Sequence, residues 1–172
     1  TDMHGDAMDL IRNASTQAAA KLKFLRLAFG ASGSAPGVIA LSEIKSLSEN
    51  MFAQAKADLI WDISADGVEK DRARILLNLI MLAVQAAPRG GEVLISHAKT
   101  TDASTFTLTS RGNRVRLDEA VGRALSGKAP ADGFDGRSIQ PFYAHMLTRE
   151  VNGTLTASAD EELVTITANF PS

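Results

Sequence analysis

Apolar residues recur at steps of three and four through the first 30 residues, which is the spacing of one face of an α-helix. This pattern predicts a single amphipathic helix over residues 6–29, with Asp6 as its N-cap and Gly30 at its end. The stripe is narrow, as in a helical bundle. Because an exposed apolar stripe of this length is unfavourable in water, we expect a dimer interface there. Its residues are Ile11, Ala14, Ala18, Leu22 and Leu25.

The period of the pattern changes after a linker at residues 32–37. Short apolar or alternating runs predict strands at 38–41, 59–63, 92–98, 105–109, 154–157 and 163–168. Helical spacing predicts helices at 42–55, capped by Ser42, and at 68–87, 117–125 and 138–151. We expect the third and fourth strands to form an antiparallel hairpin. The order indicates an α+β protein: one long bundle helix in residues 1–31, then a sandwich in residues 38–172 with helices on one face of a mixed sheet.

The composition narrows the classes of function. Of the 172 residues, 45% are hydrophobic and 22% are charged, as in ordinary globular proteins. A net charge of −2 provides no basic field for nucleic acid. The lack of cysteine excludes disulfides, Cys-ligated zinc and thiol catalysis. With neither an apolar run that could span a membrane nor a signal peptide at residues 1–9, we expect a cytoplasmic protein that contacts no membrane.

Two segments resemble the ATP-binding domain of sensor histidine kinases, the GHKL or Bergerat fold. Residues 74–96, RILLNLIMLAVQAAPRGGEVLIS, are similar to the kinase helix with the NLxxNA pattern and to the Pro-Arg-Gly-Gly turn that follows it. Residues 138–158, SIQPFYAHMLTREVNGTLTAS, fall where those kinases have a glycine-rich lid, a long helix, a glycine turn and a strand. The resemblance implies the same fold for residues 38–172.

The positions that bind ATP in that fold are replaced here. Leu82 stands where the kinases hold magnesium with an Asn, and leucine has no oxygen ligand; only Asn78 of that pattern remains. The Asp that binds adenine is replaced by Ser110, and a glycine of the same turn by Arg114. The lid glycines are replaced by Ser138 and Gln140. We therefore expect a degenerate domain that binds neither ATP nor a metal ion of its own.

A degenerate domain of this kind behind a bundle helix resembles one family, the ChpT-type histidine phosphotransferases of alphaproteobacteria. The similarity rests on residues 8–31, MDLIRNASTQAAAKLKFLRLAFGA, and on SIQPFY at 138–143. It also rests on the LLNL and PRGG segments within residues 74–96. It implies a homodimer with a four-helix bundle. It also implies a phosphorelay from the receiver domain of a CckA-type hybrid kinase to response regulators of CtrA and CpdR type. The receiver supplies the magnesium, so the chain needs no cofactor.

The family's phospho-accepting histidine stands in a His-Asp pair on the first bundle helix, and this sequence has no such pair. We expect the acceptor upstream of Thr1, with His145 as a candidate inside the chain because Arg149 lies one turn away. The resemblance places receiver contacts at Arg114, Arg116, Leu117 and Glu119, where arginines suit an acidic partner. Two alternatives stay open: an adaptor that binds receivers without carrying phosphate, and a kinase remnant that binds nucleotide weakly.

Overall fold

A computed structural model describes residues 3–30 and 36–171 of the chain, and most of the predicted linker lies outside these ranges. The described residues form five helices and seven strands. The helices are α1 (Met3–Phe29), α2 (Leu41–Met51), α3 (Lys70–Ala86), α4 (Glu119–Leu125) and α5 (Ile139–Glu150). The strands are β1 (Val38–Ala40), β2 (Ala57–Asp62), β3 (Gly67–Glu69), β4 (Gly91–Lys99), β5 (Ala103–Arg111), β6 (Thr154–Asp160) and β7 (Leu163–Pro171).

Five of the strands form one mixed sheet in the order β2-β4-β5-β7-β6. β2 pairs in parallel with β4, and α3 makes the crossover that a parallel pair requires. All other neighbours in this sheet are antiparallel, including the predicted hairpin of β4 and β5. β7 lies between β5 and β6, so both of its edges are hydrogen-bonded. The predicted α+β class with a mixed sheet is confirmed.

The core lies between α3 and one face of this sheet. Alternate residues of the central strands point inward and are buried, because side chains along a strand alternate between its faces. They include Val93, Ile95, Phe106, Leu108, Val164, Ile166 and Phe170. The opposite face is half-exposed and rich in threonine. α3 is buried almost all round, since it also contacts α1 and α5. This packing explains why its sequence is apolar on every side.

The turn between α3 and β4 requires glycine at its last position. Gly91 has φ +125°, a backbone conformation that other residues rarely adopt. A Cβ atom at this position would also collide with the carbonyl of Arg111 at the end of β5. The Pro-Arg-Gly-Gly turn therefore serves the close approach of two strand ends, whether or not a nucleotide is bound.

Four predicted helix starts are wrong. α4 begins at Glu119 and not at residue 117, because Asp118 is its N-cap. Val68 belongs to β3, where it pairs with Ile39 of β1, so α3 begins at Lys70 and not at residue 68. Asp6 lies inside α1 and caps nothing at its start. α2 begins at Leu41 after Ala40, and its N-cap residue makes no side-chain hydrogen bond, so Ser42 is not a cap. For α2 and α3 the ladder between β1 and β3, and not local capping chemistry, sets the boundary.

The last turns of α1 join the core of the rest of the chain. Phe24 and Ala28 are fully buried, and the Phe24 ring packs edge-on against Phe52 with centroids 5.6 Å apart. The earlier turns of α1 are exposed. None of the helices described in residues 3–30 and 36–171 is both long and apolar enough to cross a lipid bilayer.

Candidate functional site

A groove of about 440 Å³ opens between the end of α3, the start of α4 and the segment before α5. Its walls are Leu82, Gln85, Ala86, Pro88, Arg116, Leu117, Asp118, Val121, Gly136 and Arg137. The groove thus combines an apolar floor with arginines at its rim. It includes Leu82, the first of the positions at which the sequence departs from the ATP-binding pattern.

The replaced ligand positions have become part of the core. Leu82 is 4% exposed and presents only methyl groups to the groove. Ser110 is fully buried, and its hydroxyl donates to the carbonyl of Ala83 at 2.7 Å, so it satisfies α3 and does not face a ligand. Within the described ranges, no group of three or more histidine and acidic side chains is arranged to hold a metal ion.

The turn after β5 displays two arginines on either side of a buried anchor. Val115 is 4% exposed, whereas Arg114 and Arg116 are both exposed. Arg114 adopts a left-handed conformation with φ +65°. The backbone N–H of Arg116 donates to the carbonyl of Ala86 at 3.0 Å, which ties the turn to the end of α3. This bond fixes the backbone from which Arg116 reaches the groove, while Arg114 is exposed on the same turn.

The start of α4 completes the predicted receiver surface. Leu117 is half-buried and lines the groove beside Arg116. Asp118 caps α4, since its Oδ1 accepts from the N–H of Ala120 at 3.0 Å. Glu119 is exposed on the other side and lines a neighbouring cavity with Arg123. The structure therefore places Arg116 and Leu117 in this groove, Glu119 in the neighbouring cavity and Arg114 exposed on the turn before them.

The segment before α5 contributes residues that the sequence analysis did not single out. Asp135 accepts hydrogen bonds at Oδ1 from the Ser138 hydroxyl at 2.6 Å, from the Ser138 N–H at 2.9 Å and from the Arg137 N–H at 3.0 Å. These bonds, the hydroxyl's first, lower the pKa of Asp135. Arg137 thereby faces Asp118, with Nη1 3.8 Å from Oδ2. The Asp-Gly-Arg-Ser turn pattern was the available signal.

Comparison with known proteins identifies the family. Residues 41–163 match the family described as histidine phosphotransferase C-terminal domain. The chain belongs to this family. It is also 29% identical over 163 residues to the protein phosphotransferase ChpT of Brucella abortus, covering 95% of this chain and 78% of that protein. The predicted resemblance to ChpT-type phosphotransferases is confirmed.

Solved structures agree with this membership. The solved structure of a bacterial phosphotransferase superposes with a TM-score of 0.81 at 28% identity, covering 98% of this chain and 80% of that one. The histidine kinase AdeS of Acinetobacter baumannii superposes with a TM-score of 0.60 at 13% identity, over 95% of this chain and 77% of the kinase chain. At that identity the kinase shares the fold alone. The phosphotransferase family thus has the histidine-kinase fold, as the sequence predicts.

His145 is held in a structural contact within this family member. Its Nδ1 lies 3.0 Å from the carbonyl of Leu125, which can only accept, so Nδ1 carries the proton. Its Nε2 faces Gly127, where an added Cβ would lie only 2.5 Å away, and Gly127 has φ +80°. The ring is half-buried, with Nε2 close to the backbone of Gly127. This geometry favours a packing role for His145.

The predicted dimer stripe of α1 is exposed in the single chain. The exposed fractions are 59% for Ile11, 71% for Leu22 and 37% for Leu25. Ala14 and Ala18 are exposed as well. The buried residues of α1, Phe24 and Ala28, lie on a different face. The stripe is therefore available for a partner helix, and the dimer stays a prediction.

Proposed function

We propose that this phosphotransferase relays phosphoryl groups between receiver domains in a two-component phosphorelay. Family membership and the similarity to a protein phosphotransferase support a phosphotransfer function. In the forward step the P–O bond to a receiver's aspartate breaks and a P–N bond forms on a neutral imidazole of the phosphotransferase. The aspartate leaves as a carboxylate, and the second receiver reverses the step. The receivers supply the magnesium ion.

The observation that carries this proposal is the surface around the groove. A receiver's phosphorylation site is acidic, and arginine pairs with carboxylates through two parallel hydrogen bonds. Arg114 and Arg116 are exposed on a fixed turn, and Leu117 provides an apolar contact between them and α4. An apolar anchor beside a few arginines is typical of small, well-defined protein interfaces. We propose that receivers dock here, through Glu119 as well, with partners of the CckA, CtrA and CpdR types.

We further propose that the chain uses no ATP. The inward-facing Ser110 and the methyl groups of Leu82 support this, because neither offers a ligand to adenine or magnesium. The lid positions support it too: Ser138 is engaged by Asp135 in the turn before α5. The groove that a kinase would give to its nucleotide is thereby free for a protein partner.

The phospho-accepting histidine and the dimer complete the proposal. We place the acceptor on a helix N-terminal to Thr1, which would pair with α1 in a four-helix bundle of two chains. The Nδ1 contact of His145 with Leu125 and the closeness of Gly127 to its Nε2 support this choice over an acceptor inside the chain. Such a relay would operate in the cytoplasm, where response regulators act.

The test is a double substitution, Arg114→Ala with Arg116→Ala. Hydrogen bonds to charged groups contribute about 1.5–3 kcal/mol each, and their losses are not fully additive. We therefore expect a loss of about 2–4 kcal/mol in receiver binding, measured by calorimetry, and a matching loss of transfer. The melting temperature should not change, since both side chains are exposed.

The matched control removes two exposed cations elsewhere, Lys99→Ala with Arg149→Ala, and should bind and transfer as the wild type does. Wild-type transfer by the arginine double variant would place the docking surface elsewhere. A wild-type protein that binds receivers but never carries a phosphoryl group, with all N-terminal residues present, would be an adaptor.

A further inference from the structure

Asn78 connects the bundle helix to the core of the sandwich. It is fully buried on α3, and its Nδ2 donates to the carbonyl of Ala28 and to that of Arg74, both at 3.0 Å. The Ala28 carbonyl belongs to the last turn of α1, whose final four carbonyls have no partner within the helix. One amide of α3 therefore satisfies the end of α1 from inside the core.

Residues of α5 make further hydrogen bonds to the same part of α3. Gln140 Nε2 donates to the backbone carbonyl of Asn78 at 3.0 Å and lies 3.4 Å from its Oδ1. One turn along, the hydroxyl of Tyr143 accepts from Nη2 of Arg74 at 2.8 Å. The Tyr143 ring also packs against Phe29, with centroids 5.6 Å apart. We call this meeting of α1, α3 and α5 the junction: Ala28, Phe29, Arg74, Asn78, Gln140 and Tyr143.

The junction favours one orientation of α1 relative to the sandwich. A buried amide that loses its partner is unfavourable, so rotation of α1 would break the Asn78–Ala28 hydrogen bond inside the core and part the rings of Phe29 and Tyr143. Asn78 is the residue retained from the kinase helix pattern, and Gln140 stands in place of one of the lid glycines. Here their polar atoms are directed at α1 and at each other.

The junction lies between the two surfaces that the proposed relay must use together. Leu82, on the floor of the groove, is one helical turn from Asn78 along α3. On the other side, α1 leads to the exposed stripe where the bundle is expected. A receiver that docks at Arg116 must present its aspartate to a histidine of that bundle. The separation between the two surfaces then depends on the orientation of α1.

We propose that Asn78 and Gln140 are positioning residues that set the orientation of the bundle relative to the receiver-docking surface. This inference rests on the proposed function. A displacement of about 1 Å between reacting groups can cost about 100-fold in rate, while docking at a distant surface is unaffected. Loss of the junction should therefore slow transfer at saturating receiver and leave receiver affinity unchanged.

The first experiment measures the orientation directly. The chain has no cysteine, so Ser15→Cys on α1 and Ser158→Cys on β6, both exposed, accept one spin label each. Labelled protein is diluted into unlabelled protein so that distances within one chain dominate. We expect a narrow distance distribution, broadened or shifted by Asn78→Ala. An unchanged distribution would overturn the proposal.

Two further variants keep this measurement decisive. Gln140→Ala removes a half-buried side chain and tests the junction if Asn78→Ala does not fold. Asn50→Ala is the matched control, because Asn50 is exposed and its Nδ2 donates to Ser46 within its own helix at 2.8 Å. The control should reproduce the wild-type distribution.

The second experiment separates binding from transfer. With Asn78→Ala or Gln140→Ala we expect the transfer rate at saturating receiver to fall by about tenfold or more, with the receiver Kd within about twofold of wild type. A wild-type rate despite a broadened distance distribution would refute the positioning role. So would a rate that falls only with the folded fraction. If the wild type itself transfers nothing, the proposed function fails, and the distance measurement still judges the junction.

Discussion

Replacing Leu22 by lysine tests the predicted dimer at the most exposed leucine of the stripe. In the single chain Leu22 is 71% exposed, and it lies one turn from Leu25. Because so little of its side chain is buried within the chain, the substitution should not destabilise the folded monomer. Any large effect would therefore act on association.

The magnitude follows from that exposed fraction. Fully burying a leucine contributes about 1.5–3 kcal/mol, so burying the remaining 71% contributes roughly 1–2 kcal/mol per chain. A two-fold dimer contains the residue twice, which gives about 2–4 kcal/mol, or about 30- to 900-fold in the dimer Kd. Desolvation of the lysine ammonium adds to this loss, although its long stem lets the charge escape to solvent.

Sedimentation velocity over a range of concentrations measures the effect, on protein that carries any residues encoded before Thr1. The matched control is Val38→Lys, since Val38 is 72% exposed on β1 and lies outside the stripe. The control should sediment as wild type, while Leu22→Lys should shift towards monomer. A Leu22→Lys protein with the wild-type dimer Kd would show that this face of α1 is not the interface.

Two other predictions follow from the site and the sheet. Calorimetry with Mg-ATP should give no heat of binding, because Leu82 and the core around it offer no ligand; a Kd in the low micromolar range would contradict this. Partial burial lowers the pKa of His97, and the positive charges of Lys99 and Arg72 lower it further. The His97 imidazole therefore binds a proton more readily in the unfolded chain than in the folded one. Its stabilising contribution is complete above about pH 6.5 and is lost as the pH falls towards the folded pKa. The decrease in melting temperature over that window should flatten in His97→Gln and persist in His4→Gln.

Much of the fold follows from local pattern. Apolar residues at steps of three and four identify α1, and a continuous apolar run identifies α3. Alternating apolar and polar residues identify the strands of the sheet. The starts of α2 and α3 could not be predicted, because the pairing of Ile39 with Val68 sets them. Those two residues are distant in sequence, and neither has a local signal for the ladder of three residue pairs between β1 and β3.

In the candidate site, too, some features could be predicted from the sequence and others depend on contacts between distant residues. The receiver-contact positions were predicted from the arginine cluster and from a resemblance, and the structure places Arg116 and Leu117 in one groove. Receiver contact there stays a prediction. The junction could not be foreseen. Asn78 bonds to a carbonyl 50 residues away, and Gln140 bonds across 62 residues. Only packing decides which buried amide meets which helix end. A polar residue in an apolar helix was the signal, without an indication of its partner.

The position of β7 in the sheet has a consequence for how the protein is made. β7 follows the other described strands in sequence, yet it is paired on both edges, with β5 and with β6. While the chain emerges from the ribosome, β5 and β6 therefore lack their shared neighbour until residues 163–171 are free. The five-stranded sheet should therefore complete its folding only after residues 163–171 have left the ribosome. Until then, the exposed edges of β5 and β6 are open to pairing with other chains, and chaperones that shield strand edges would be most useful in that interval.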